Sequence, residues 1–271
     1  MASYFTERSV LFNASSEFSC PDGCERYGCK EPGLHISISL VDLLAISSAS
    51  NQNAFSLFKK DCKIGFDPID EGEPWLGRIS IELKNPCPFL DKKECSVYPG
   101  RPIACALFPE YSFIGGNREE LLKKDLFRNF PCIQNPCSIS PRRKEILQSL
   151  FEMSIQEVFL SDFYLFGLSP FVLDLKSIAG EGLEGVPVSA GEKVKIPHHR
   201  IEGLISQRLG NGGYFDEWEA KVEQLDRADG RSRFVEMKHW TDQMMATQDR
   251  ISLGIAYQFE GNRLLPIRLS K

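Results

Sequence analysis

The stretch CPFLDKKECSVYPGRPIACALFP, Cys87 to Pro109, decides how the N-terminal half of this chain is read. It sets Cys87, Cys95 and Cys105 among Pro88, Pro99, Pro102 and Pro109. Each proline removes a backbone donor and fixes φ, which excludes a long helix or a central strand. The expectation is a loop-rich segment shaped by metal bonds more than by regular structure, because ordering such a loop costs entropy that something must offset.

Working outward, cysteine spacing repeats the signal. Upstream lies Cys20-x3-Cys24-x4-Cys29, and downstream Cys132-x4-Cys137. Cys62 stands alone and is read as a buried thiol, since cysteine packs as a small hydrophobe. All nine cysteines precede residue 138. Met1 to Cys20 carries Glu7 and Arg8 and lacks the apolar core of a signal peptide, so a cytoplasmic location is expected, with reduced thiols. Dense thiols in a reducing compartment point to metal ligands or catalytic thiols. Soft thiolates select zinc or an iron–sulfur cluster over magnesium or calcium. The common Cys-x2-Cys zinc knuckle is missing, and gaps of three and four lean toward iron–sulfur. Candidate metal ligands are Cys20, Cys24, Cys29, Cys87, Cys95, Cys105, Cys132 and Cys137. Arg101 and the basic run Arg142 to Lys144 are candidate counter-charges, and the helix opening at Pro141 directs its positive end toward Cys132 and Cys137.

Composition narrows the classes. A net charge of −5 argues against a nucleic-acid-binding surface, which usually carries an excess of Lys and Arg, though it leaves room for a local basic patch. No apolar run approaches the ~18–20 residues that span a bilayer. With 42% hydrophobic residues the chain is globular.

Ser39-Leu40-Val41-Asp42 has the form of a capping box opening a helix, after a short alternating run from Leu34 to Ile38. A second helix is expected from Asn51 to Lys60. Arg78 to Lys84 alternates as a strand does. Ser140-Pro141 starts a long amphipathic helix with Leu147, Leu150, Phe151, Ile155, Val158 and Phe159 on its apolar face. Gly180 to Pro197 reads as a linker, and its Gly180-x-Gly182-x-x-Gly185 is followed by Val-Pro-Val rather than the helix a dinucleotide site needs. Helices are expected over 200–209, 214–228 and 231–248, then a hairpin turning at Gly261-Asn262. Tyr214, Phe215 and Trp218 are read as core, and His35, His198, His199 and His239 as non-ligating. The fold class is α+β and mainly helical. A cysteine-rich metal-binding region over 1–140 packs against helices of 141–180, with a mainly helical region over 198–271.

Cys87-Pro-Phe-Leu-Asp91, Cys95-Ser-Val-Tyr98, Arg101-Pro102 and Cys105-Ala-Leu-Phe-Pro109 occur in the order of a known signature. Together with Phe18-Ser-Cys20, Cys24, Cys29 and Leu34 to Asp42, they make residues 18–137 resemble the cysteine-cluster family of zinc- or iron-chelating domains, which includes flagellin lysine N-methylases. Lys30 stands where that family has a second adjacent cysteine, and the early gaps are longer. The resemblance implies a bound metal or cluster. It allows three readings: an iron–sulfur or zinc-binding module, an iron–sulfur-dependent protein-modifying enzyme such as a lysine N-methylase acting on a protein substrate, or a zinc-stabilised interaction protein. Catalytic residues are not identified.

Overall fold

The computed structural model describes residues 2–21, 23–69, 75–167, 170–180, 198–226 and 255–269. In chain order, α1 is Ala2–Asn13, α2 Tyr27–Lys30, β1 Ile36–Ile38, α3 Leu40–Ser50, α4 Ala54–Asp61, β2 Cys62–Pro68 and β3 Leu76–Leu83. Then come β4 Leu90–Asp91, β5 Glu94–Cys95, α5 Ile103–Leu107, α6 Asn117–Leu122, α7 Pro131–Gln134 and α8 Pro141–Phe166. The chain ends with β6 Val172–Asp174, α9 His198–Asn211, α10 Tyr214–Asp226, β7 Ile255–Glu260 and β8 Arg263–Arg268. Among the described residues the fold is α+β and mainly helical. Among the described residues, no helix is long and apolar enough to cross a membrane. The expected helix over 231–248 and most of the glycine-rich stretch lie outside the described residues.

The chain forms two compact units, each discontinuous in sequence: residues 1–61 with 83–158, and residues 62–82 with 159–271. In the first, α3 opens with the expected capping box. Ser39 Oγ accepts from Asp42 N at 2.9 Å, and Asp42 Oδ2 accepts from Ser39 N at 3.2 Å. Asp42 reaches further than a cap requires. Its Oδ1 accepts from Ile103 N (3.0 Å), the first residue of α5, and from Arg8 of α1 (2.6 Å). Arg8 Nε also donates to Glu157 of α8 (2.9 Å), whose other oxygen accepts from Ser39 Oγ (2.8 Å). All four side chains are buried. A buried charge is tolerable only when paired and hydrogen-bonded, and here each carboxylate has two or more donors. The network thereby fixes α5, and Cys105 within it, relative to α3.

Gly100 makes the approach to α5 possible. A Cβ there would lie 2.3 Å from the carbonyl oxygen of Ala45, so any side chain would push the Tyr98–Gly100 turn off α3. Ser140 caps α8 as expected, with its Oγ accepting from Arg143 N (3.2 Å). Leu147, Leu150 and Met153 of α8 bury against Ile103, Leu107 and Ile139. Phe151 lies at the edge of that face, 37% exposed, and stacks on Tyr111 at 4.7 Å.

In the second unit, β2 pairs with β3, β3 with β6 antiparallel, β6 with β7 in parallel, and β7 with β8 antiparallel. The hairpin turns at Gly261-Asn262, with Glu260 opposite Arg263 and Gly261 at φ 60°. The α9 and α10 helices bury Ile201, Ile205, Leu209, Trp218, Val222 and Leu225. Strand β2 falls where the sequence reading placed no element. Its pattern is half-hidden because Ile64, Gly65 and Phe66 are all buried, which erases the alternation that betrays a one-sided strand.

Candidate metal centre

The first cysteines ride on an irregular turn. Cys24 N donates to Pro21 O (3.1 Å) and Tyr27 N to Cys24 O (3.0 Å). Glu25 and Arg26 then take left-handed conformations, φ 46° and 62°. Each costs on the order of 1–2 kcal/mol for a residue with a Cβ. The strain turns the chain sharply into α2, where Cys29 sits with its amide on Arg26 O (2.9 Å). It also brings Arg26 back over the motif: its NH1 lies 3.6 Å from Cys20 Sγ, and its Nε donates to Lys93 O at 2.9 Å.

The Cys87–Pro109 stretch contains two pieces of regular structure, the β4–β5 hairpin and the short α5. The hairpin pairs Leu90 with Cys95. Cys87 N donates to Cys29 O at 2.7 Å, joining this stretch to the first motif. Asn85 Nδ2 donates to the carbonyls of Gly28 and Glu31. Cys132, on α7, is buried beside Phe130 and Ile133, against which Phe18, Tyr27, Leu34 and Phe108 pack. Phe130 is wholly buried and meets Tyr27 edge-on at 4.9 Å.

Seven thiols gather. Cys29, Cys87, Cys95 and Cys105 all act electrostatically on one another. Cys20, Cys24 and Cys132 do the same among themselves, and Cys29 feels Cys20 and Cys24. Burial pushes the Cys87 thiol up to about 11 and the Cys132 thiol up to about 12, and raises Cys105 further. The neighbouring thiols add to each shift. Amides of Phe89 and Leu90 oppose it at Cys87, as does the Ile133 amide at Cys132. Those N–H groups favour a thiolate, and so a bound cation. A cavity of about 230 Å³ opens on the thiols, lined by Cys20, Cys24, Cys29, Cys105 and Cys132 together with apolar and aromatic side chains.

Two cysteines are not brought to this place. Cys62 is buried on β2 in the other unit. Cys137 is raised first by burial and then by the carboxylates of Glu110 and Glu17, with no other thiol acting on it. The start of α8 meets a carboxylate: Glu17 accepts from Ser140 N at 2.8 Å. Arg143 is taken up by Glu110 at 2.6 Å. Arg101 lies over the Tyr98 ring (3.8 Å) and donates to Tyr98 O, a backbone carbonyl rather than a sulfur. Arg26 is the cation at the thiols. Its place between Cys24 and Cys29 was a visible signal, but the left-handed turn that aims it was not.

A loop-built pocket that gathers soft donors under amide N–H groups has the donor chemistry that a soft metal would take. Residues 19–132 match the family model CxxCxxCC, described as "Putative zinc- or iron-chelating domain", and this part of the chain is similar to that family. The match supports metal binding in general, and it ends before Cys137. No curated protein and no solved structure is matched.

Proposed function

We propose that this domain holds an iron–sulfur cluster through cysteine thiolates. The gathering of seven thiols from three separate stretches carries the reading. The early gaps of three and four residues, without a Cys-x2-Cys knuckle, favour a cluster over a single zinc ion. The surrounding N–H groups and Arg26 suit the negative charge of a thiolate-ligated cluster.

The test is anaerobic purification followed by iron, sulfide and zinc analysis. Stoichiometric iron and sulfide with broad absorption near ~400 nm are expected. A colourless protein carrying stoichiometric zinc would instead establish the zinc-stabilised module. A second reading, protein modification of the lysine-methylating kind, draws on the cavity beside the thiols. Methyl transfer from S-adenosylmethionine to a lysine-containing protein, by the cluster-loaded chain and not by Cys105→Ser, would support it.

A further inference from the structure

Cys20 is the exposed member of the gathered thiols, and a cation stands at it. Arg26 NH1 lies 3.6 Å from Cys20 Sγ, a donor contact to the larger sulfur atom, and Arg26 Nε donates to Lys93 O at 2.9 Å. Lys93 lies in the turn between β4 and β5, just before Cys95. One planar group therefore bridges the first cysteine motif and the hairpin that carries Cys95. Glu25, the carboxylate next to Arg26 in sequence, pairs instead with Lys30 (3.3 Å) and Lys93 (3.5 Å). Arg101 is engaged by Tyr98, and Arg143 by Glu110. Arg26 reaches the sulfur from a left-handed backbone, φ 62°. Glycine takes that conformation without steric cost but brings no guanidinium. Strain of this kind persists where the surrounding structure holds it, and it clusters at functional sites.

We propose that Arg26 is a positioning residue of the metal centre: its guanidinium holds Cys20 as a ligand at the exposed edge and raises the reduction potential of the bound cluster. This rests on the iron–sulfur reading above. Reduction adds one electron to the cluster from an external donor, and no bond or proton changes at Arg26. Hydrogen bonds to sulfur, net charge and solvent exposure set such potentials. A cation and an N–H donor at a coordinating sulfur both favour the reduced, more negative state, so the potential rises. Cys20 is the ligand that needs holding, because its exposed sulfur is open to water and to competing reagents. A guanidinium makes both contacts at once because its donors form a fixed fork, whereas a lysine ammonium is a point charge on a flexible stem. The Lys93 carbonyl keeps that fork from swinging into water. Phe18, Leu34 and Phe108 line the cavity next to the thiols, so the charge is screened less there than in bulk water.

The test compares the anaerobically purified full chain with R26Q, R26K and R26G. Dithionite titration reads the midpoint potential. Iodoacetamide labelling followed by peptide mass reads access to each cysteine. R26Q should shift the reduction equilibrium about tenfold toward the oxidised cluster, a fall of about 59 mV for one electron. Its Cys20 should be alkylated several-fold faster, with Cys87 and Cys105 unchanged. R26K keeps the charge and loses the fork, so it should fall between R26Q and the parent. R26G removes the guanidinium while suiting the left-handed backbone, so the turn is retained. The same fall in potential and the same faster labelling are expected of it, which separates the guanidinium from the shape of the turn. R26G also carries the comparison should R26Q fail to fold. Parent-like potential and labelling in R26G would overturn the proposal and leave the proposed function intact. An unsubstituted chain purified without iron and sulfide would overturn the cluster reading and this proposal together.

Discussion

The amide of Cys87 donates to the carbonyl of Cys29 across 2.7 Å, and Asn85 ties the same α2 turn from the side by donating to Gly28 O and Glu31 O. These bonds join two cysteine stretches without using a sulfur. The thiol pocket is therefore partly assembled by backbone contacts, so a metal bound there would add to a scaffold partly in place. Partial preorganisation lowers the ordering cost that binding must meet.

Metal content should separate the cysteines by position. Cys105→Ser should reduce bound metal severalfold, because its thiol neighbours Cys29, Cys87 and Cys95. Cys137→Ser and Cys62→Ser should leave it unchanged, since one faces Glu110 and Glu17 and the other is on β2. Metal analysis of the three purified variants decides this. Equal loss in all three would refute the placement.

Metal affinity should climb steeply with pH. Burial holds Cys87 near about 11 and Cys132 near about 12, so both are protonated in the metal-free protein at neutral pH. Each thiol that binds must release its proton. Apparent affinity should rise up to about tenfold per pH unit for every such thiol, over a range lying wholly below those values. Chelator-competition titrations with zinc at pH 6.5, 7.5 and 8.5 measure the slope. A flat profile would mean that the bound thiols were already ionised.

Removing Asp42 should both destabilise the fold and weaken metal binding. Asp42→Ala takes one partner from buried Arg8 and the acceptor from Ile103 N. Breaking a buried ion pair costs about 3–5 kcal/mol. The loosened start of α5 carries Cys105. Thermal melting and metal affinity should fall together, and an unchanged melting temperature would show that Glu157 alone suffices for Arg8.

Asp162 gives a pH signature in the other unit. Burial raises its pKa to about 6, against the pull of Arg78 at 2.8 Å. A carboxyl raised above its unfolded value binds more protons in the native state. Its contribution to stability is thus present below about pH 4 and is lost as pH rises through about 6. The loss is on the order of 3 kcal/mol. Melting temperatures at pH 5 and 7 should differ less in Asp162→Asn than in the parent chain, and an identical difference would exclude Asp162 as the cause.

Chelation should expose the cysteine loops to proteolysis first. The segments around residues 20–33 and 85–100 hold most of the gathered thiols and have short elements only. The α8 segment and the α9–α10 pair bury their own apolar faces and should resist longer. Limited proteolysis with and without chelator, read by intact mass, follows the order of cutting. Simultaneous cutting of both regions would mean that metal and the long helices melt as one unit.

Much was legible in the chain because it rests on short-range chemistry. The Ser39–Asp42 box and the Ser140–Pro141 cap are local hydrogen-bond and dihedral constraints, so four consecutive residues suffice to reveal them. Thiol spacing in the Cys87–Pro109 stretch exposed the metal-binding character, and the Gly261-Asn262 hairpin was written in its own turn residues. By itself the sequence determined the α+β class and these element starts. Tertiary structure alone decided which thiols meet. Cys29 joins Cys87 and Cys105 across long loops, whereas Cys137, near Cys132 in sequence, turns toward Glu110 and Glu17. It also decided that Asp42 serves Ile103 and Arg8 beyond its own helix, and that Arg26 rather than Arg101 attends a sulfur. The physical reason is that side-chain direction at a site depends on backbone turns such as the left-handed pair Glu25–Arg26, and on packing partners distant in sequence. Spacing along a chain carries neither.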